Sequence, residues 1–321
     1  MKAVFFANVL SFIFFSSFAF AQTDTGVPYP HTVKYFETTY DDDSAVMAYM
    51  DVAPAKPNGR SVILFHGKNF NGFYWKEVIS ALNKEGYRVI VPDQIGWGRS
   101  DRKTIHFSFH SLATANKALL DSLGVKSVSV IGHSMGGMLA ARFALMYPNA
   151  VEKLILENPI GLEDYRRFVP YTSLPDLAAG ELKATAESYK AYQQTYYKEW
   201  KPEYQQYVDA QAADLKLKNF AEAALVNAMA TRMIYEQPVI YEFDAIKTPT
   251  LLIIGLDDRT VVGKPRVPKE IVNNYGQYPQ LGKLANQKIK GSKLIELKGV
   301  GHMPHVQETE TFNKAVIDFL K

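Results

Sequence analysis

Val128-Ser129-Val130-Ile131-Gly132-His133-Ser134-Met135-Gly136-Gly137 is the stretch on which the reading of this chain turns. A short apolar run, Val128–Ile131, leads straight into Gly132-His133-Ser134-Met135-Gly136, and a helical pattern over Met135–Met146 follows without a spacer. Between a strand and a helix, G-x-S-x-G is expected to form a very tight turn that presents the serine hydroxyl as a nucleophile. Such a turn strains the serine backbone. Glycines two residues to either side let strand and helix approach without side-chain clash. The new helix also points its free N–H groups at the reacting centre.

Outward from this turn, the chain repeats the same rhythm. Short apolar runs at Ser61–Phe65, Arg88–Pro92, Lys153–Leu156, Thr250–Ile254 and Lys293–Leu297 are bounded by Gly, Pro, Asp or Asn. Continuous apolar runs of this length suit strands buried on both faces of a mostly parallel sheet. Helical patterns at Phe73–Lys84, His110–Leu123 and Glu308–Leu320 alternate with them, which predicts an α/β sheet covered on both sides. Upstream, Val33–Tyr40 and Ala45–Val52 flank Asp41-Asp42-Asp43-Ser44 and read as an antiparallel hairpin.

The rhythm breaks from Gly161 to Tyr241, where no strand pattern occurs and eight of the 19 tyrosines fall between Tyr165 and Tyr207. A helical insertion is expected there. Its tyrosines serve as ordinary amphipathic packing or as the lining of a substrate pocket under a lid. The resulting division is a first core part at 22–160, a helical cap at 161–241 and a second core part at 242–321.

A serine hydroxyl needs a base, and the base needs a carboxylate to fix its tautomer. His302, in Gly299-Val300-Gly301-His302-Met303-Pro304, follows the last expected strand and precedes the last helix. His305 is its local rival, and His133, inside the turn, is assigned to packing. The acid is expected in Gly255-Leu256-Asp257-Asp258-Arg259 after the strand at Thr250–Ile254, with Asp258 chosen and Asp257 as the alternative.

Four segments together resemble the α/β-hydrolase superfamily, in the broad group with a helical cap. They are His66-Gly67, Asp93-Gln94-Ile95-Gly96-Trp97-Gly98-Arg99-Ser100, the turn at Ser134, and Gly255–Asp258 with Gly301-His302. The resemblance runs from about Val33 to the C-terminus and keeps the family's order of Ser, then Asp, then His. It implies an eight-stranded, mostly parallel sheet and selects Asp258 as the acid. Relatives that carry the acid after the sixth strand would need an Asp near Asn158, which is neutral. It also implies an oxyanion hole made by the backbone N–H of Met135 and that of Lys68, with Asn69 as the alternative to Lys68. The Lys68 side chain is expected to be solvated. The Gly96, Gly98 and Ser100 segment is expected to shape a turn without taking part in chemistry. A serine at position 134, where some relatives carry Asp, argues against dehalogenase or epoxide-hydrolase chemistry. The long stretch from Asp258 to His302 is read as a solvated surface excursion, with part of the pocket mouth or an interaction surface as the alternatives.

These residues imply hydrolysis of an ester or related acyl bond in a small molecule, with no cofactor and no metal. Carbon–carbon bond hydrolysis is the enzymatic alternative, and a noncatalytic binding protein is the alternative outside enzymes. Composition narrows the field further. A formal net charge of +3 over 321 residues is too small to imply a nucleic-acid partner. The absence of cysteine excludes disulfides, thiolate metal sites and a cysteine nucleophile. Lys2, the apolar run Ala3–Phe20 and Ala19-Phe20-Ala21 read as a secretory signal peptide cut after residue 21, with an uncleaved membrane anchor as the alternative. The mature protein is therefore expected to be periplasmic or secreted, with no stable membrane span after cleavage.

Overall fold

The computed structural model describes residues 25–40, 42–103 and 106–321; the expected signal peptide lies outside them. The hairpin strands are β1 (Val33–Tyr40) and β2 (Asp43–Val52), followed by β3 (Ser61–Phe65), helix α1 (Lys76–Lys84) and β4 (Arg88–Pro92). Helix α2 (Phe109–Ser122), β5 (Val128–His133), α3 (Met135–Met146) and β6 (Val151–Glu157) complete the first half. Four helices come next: α4 (Leu174–Glu181), α5 (Ala186–Gln194), α6 (Gln205–Ala212) and α7 (Phe220–Glu236). The chain closes with β7 (Thr250–Gly255), α8 (Tyr278–Lys288), β8 (Lys293–Leu297), the short α9 (Pro304–Gln307) and α10 (Thr309–Leu320).

The strands form one sheet in the order β1-β2-β4-β3-β5-β6-β7-β8. The pairs β1–β2 and β2–β4 are antiparallel and the remainder are parallel. Side chains alternate across each strand, so an apolar run buried on both faces feeds two cores. In β3, Ile63 and Phe65 join one apolar cluster with residues of α2, α3 and α8, whereas Val62 and Leu64 join the opposite cluster with residues of α1 and α10. In β7, Leu252 and Ile254 face the first and Leu251 and Ile253 the second. This two-sided burial is why these strands read as unbroken hydrophobic runs.

The stretch from Asp258 to His302 is not the solvated excursion expected from its Gly, Pro and Lys content. It carries α8, whose Tyr278, Leu281, Gly282 and Ala285 are buried. Their spacing of three, one and three residues makes one helical stripe. Gly282 brings the helix against Ile254, which a Cβ there would meet at 2.9 Å. The lysines and glutamines of α8 mask that stripe in a composition-based reading.

Among the described residues, no helix is long and apolar enough to cross a membrane.

Candidate active site

Parallel strands end together at one edge of the sheet, and the loops that leave β5, β6, β7 and β8 meet there. Ser134 sits between β5 and α3 with φ 57° and ψ −120°, a left-handed conformation that costs energy in any residue but glycine. Close packing holds it in place. A Cβ on Gly132 would lie 2.2 Å from the Gly136 carbonyl oxygen, and one on Gly136 would lie 2.1 Å from that of Phe65. No side chain larger than hydrogen fits at either position, so the sequence spacing of these glycines and the geometry of the turn are one constraint. The Ser134 N–H donates to the carbonyl of Glu157 at the end of β6 (3.1 Å).

The structure brings Ser134, His302 and Asp258 together although 168 and 44 residues separate His302 from its two partners. Ser134 Oγ lies 3.0 Å from His302 Nε2, and His302 Nδ1 lies 2.7 Å from Asp258 Oδ2. All three are buried, with Ser134 6% exposed. Asp258 Oδ2 also accepts from Asn158 Nδ2 (2.7 Å), and Oδ1 accepts from the Thr260 N–H (2.8 Å). Burial pushes the Asp258 pKa up, but the His302 ring, Thr260 and Asn158 outweigh it and hold the carboxyl below its ordinary value. Asp257, the sequence alternative, turns away: its side chain is 32% exposed and lies 3.3 Å from Lys198 Nζ. His305, the other sequence candidate, is engaged elsewhere: its ring Nδ1 and its backbone N–H both bond Glu157 Oε1 at 2.8 Å.

Two residues that the sequence reading underrated organise this edge. Asn158, at φ 34°, bonds Asp258 through its Nδ2 and accepts from the Gly255 N–H through Oδ1 (2.8 Å). It therefore fastens the β6 end to the β7 end. The absence of a charge there marked only what Asn158 was not; its amide supplies a donor and an acceptor at once. His133 is more than packing. Its Nε2–H donates to the His302 carbonyl (2.7 Å), and its Nδ1 accepts from the Tyr74 hydroxyl (3.1 Å), which itself accepts from the Gly67 N–H (2.9 Å). This chain joins the loop after β3, the serine turn and the loop after β8. Burial, with the neighbouring rings of His302 and His305, drives the His133 pKa well below its ordinary value, so the ring stays neutral and its tautomer is fixed.

The loop after β3 carries Lys68. The Trp97 indole N–H donates to the Lys68 carbonyl, and His66 Nε2 accepts from the Gln94 N–H (2.9 Å). The segment from Asp93 to Ser100 thus braces this loop, and Ser100 ties it to the sheet by bonding the Asp93 carbonyl (2.6 Å) and the Ala48 N–H (2.8 Å). The Lys68 side chain is not solvated as expected: it is 15% exposed and pairs with Glu181 of α4 at 3.2 Å. Met135 is fully buried as the first residue of α3, where a backbone N–H has no partner within its own helix.

Over this edge lies the segment from α4 to α7. The Tyr196 carbonyl accepts the His302 N–H (2.7 Å), and the Tyr196 ring tilts against the His302 ring at 4.7 Å. A cavity of about 550 Å³ opens between segment and sheet edge, lined among others by Ser134, Lys68, Phe70, Tyr192, Tyr196 and Arg266. Among the described residues, no group of three His, Asp or Glu side chains is arranged to hold a metal ion.

Comparison with known proteins agrees with this architecture. Residues 60–309 match the alpha/beta hydrolase fold family. A probable hydrolytic enzyme from Pseudomonas aeruginosa PAO1 is 44% identical and superposes with a TM-score of 0.90, over 92% of this chain and 96% of that one. A 2-hydroxy-6-oxononadienedioate/2-hydroxy-6-oxononatrienedioate hydrolase from Burkholderia vietnamiensis is 26% identical across 90% of this chain and 96% of its own length. An uncharacterized protein of Mycobacterium tuberculosis is 34% identical over 119 residues, and the matched part of this chain (37% of it) spans only 35% of that protein. The family match across most of the chain, on a sheet whose strand order and loop edge are those just described, establishes that this protein belongs to the alpha/beta hydrolase fold family.

Proposed function

We propose that the protein is a serine hydrolase that cleaves an ester or related acyl bond through an acyl-enzyme. The observation that carries this reading is the unbroken chain from Ser134 Oγ through His302 to Asp258, at 3.0 and 2.7 Å. His302 Nε2 takes the hydroxyl proton as Ser134 attacks the carbonyl, and Asp258 stabilises the imidazolium that forms. The Met135 N–H, with that of Lys68 or Asn69, receives the negative charge on the substrate oxygen. Collapse of the tetrahedral intermediate transfers the proton from His302 to the leaving group. Water, deprotonated by His302, then attacks the acyl-serine and releases the acid.

The segment from α4 to α7 acts as a cap that sizes the substrate and excludes water. Residues 1–21 act as an export signal, which puts the mature protein in the periplasm or outside the cell; this rests on sequence alone. Carbon–carbon bond hydrolysis by the same residues is the second reading, and the likeness to the 2-hydroxy-6-oxononadienedioate/2-hydroxy-6-oxononatrienedioate hydrolase of Burkholderia vietnamiensis favours it.

A fluorophosphonate probe tests the first reading. It should label the wild-type protein at Ser134 and leave Ser134→Ala unlabelled, with ester turnover reduced by roughly 10⁶. A folded wild-type protein that resists labelling overturns the proposal. Turnover of a vinylogous 1,5-diketone in preference to every ester offered would move the assignment to the second reading.

A further inference from the structure

The cavity wall carries five charged side chains, and four of them are Lys68, Glu181, Asp176 and Lys183. The acids are engaged: Glu181 pairs with Lys68 at 3.2 Å, and Asp176 Oδ2 accepts from the Ser173 hydroxyl at 2.5 Å. The fifth, Arg266, is different. Its Nε is shut off from solvent and has no hydrogen-bond partner. No carboxylate figures among the influences on its charge, where burial dominates and disfavours the charged form, opposed only by Tyr235. The side chain as a whole is part-buried, so the stranded group is the Nε–H, and an unpaired buried donor on a charged side chain is costly.

The backbone makes room for this guanidinium. Gly263, another cavity residue, has φ 83°, and a Cβ on it would stand 2.5 Å from Arg266 Nη2. Arg266 lies in the stretch from β7 to α8, so the segment that composition assigns to the solvent supplies a cavity cation whose Nε–H is buried without an acceptor.

We propose that Arg266 is an anion subsite of this cavity and that the substrate is an acyl compound bearing a carboxylate distant from the scissile carbonyl. The second half of that statement rests on the hydrolase reading above; the first does not. A planar guanidinium matches a carboxylate through two parallel hydrogen bonds. Three cations (Lys68, Lys183 and Arg266) against two acids (Asp176 and Glu181) leave the wall one net positive charge, which matches a monoanionic carboxylate better than a dianionic phosphate. A volume of about 550 Å³ suits a small molecule and not a polymer.

The test compares mono-4-nitrophenyl adipate with its methyl ester, a matched pair that differs by one charge. Wild type should favour the acid in kcat/KM by about tenfold, the ratio expected of one charge-assisted hydrogen-bonded pair. In Arg266→Met the ratio should fall to about one, and Arg266→Lys should restore part of it. A thermal melt of each variant verifies folding. An equal ratio in wild type and Arg266→Met overturns the proposal while the hydrolase reading stands. If wild type turns over neither ester and resists the fluorophosphonate, the hydrolase reading fails first. Calorimetry with monomethyl adipate then decides the subsite: binding lost in Arg266→Met upholds it, and binding that is equal in both or absent from wild type overturns it.

Discussion

The two walls of the cavity are built by different means. On the sheet side, close backbone packing leads and a few buried side chains brace it: Gly132 and Gly136 leave no room for a Cβ, Glu157 holds the Ser134 N–H through its carbonyl, and the His133 ring holds the His302 carbonyl. On the helical side, side-chain pairs predominate: Lys68 with Glu181, Asn69 with the Tyr196 hydroxyl (2.8 Å), Lys76 with Gln206 (2.8 Å), and Arg102 with Asp214 (2.7 Å). A wall made of close backbone contacts has one arrangement. A wall made of replaceable pairs can change its lining without moving the sheet. The first suits chemistry that must be held to a fraction of an ångström, and the second suits choice of substrate.

The sharpest break in the comparison is expected at Asp258. With the hydrolase reading above, Asp258→Asn should lower kcat by about 10⁴, the cost of losing the carboxylate that fixes the base's tautomer. Asp257→Asn, whose side chain pairs with Lys198 and not with His302, should lower it less than about tenfold. Ester turnover by the two variants checks this, and the reverse ranking would transfer the acid role to Asp257.

Glycine substitutions contrast the walls in stability. Gly136→Ala pushes a methyl group against the Phe65 carbonyl and should cost at least about 1–3 kcal/mol. Gly180, in α4, has nothing within 4 Å of its added Cβ. Gly180→Ala should therefore stabilise by about 0.5–1 kcal/mol. Denaturant midpoints of the two variants should move in opposite directions; equal losses would erase the distinction.

Acid sensitivity should also belong to the sheet side. Of the seven histidines none falls within residues 161–241, and burial lowers the pKa of both His66 and His133 beneath the ordinary 6.5. Below that pH the unfolded chain takes up protons at these positions and the folded chain does not. Their contribution is thus complete above pH 6.5 and declines as the pH falls. Each histidine should remove up to about 1.4 kcal/mol per pH unit until its folded pKa is reached. Denaturation at pH 7.5 and 5.5 measures it, and an unchanged midpoint would refute it.

The smallest effect is expected across the two walls. Glu181→Gln takes the charge from a largely buried ion pair, with Lys68 at 15% and Glu181 at 24% exposure, but keeps an amide oxygen that can accept from Lys68, so it should cost only about 1 kcal/mol. A larger loss by thermal melt would mean that this pair holds the helical segment down.

The amino-acid sequence by itself left His302 and Asp258 as candidates beside His305 and Asp257, and determined the alternating strands and helices and the tight turn at Ser134. Each of these leaves a local trace: a strand buried on both faces must be apolar throughout, and a turn with no room for a Cβ must place glycine at fixed offsets. Tertiary structure alone decided the rest. Nothing local to Asn158 announces that its amide will join Asp258 to Gly255, or near His133 that its ring will carry the His302 carbonyl. Composition likewise gave Lys68 and α8 to the solvent, because a lysine-rich surface face hides a partner or a buried stripe on the other side. Such roles depend on neighbours about a hundred or more residues away, which only the closing of the sheet brings within hydrogen-bonding reach.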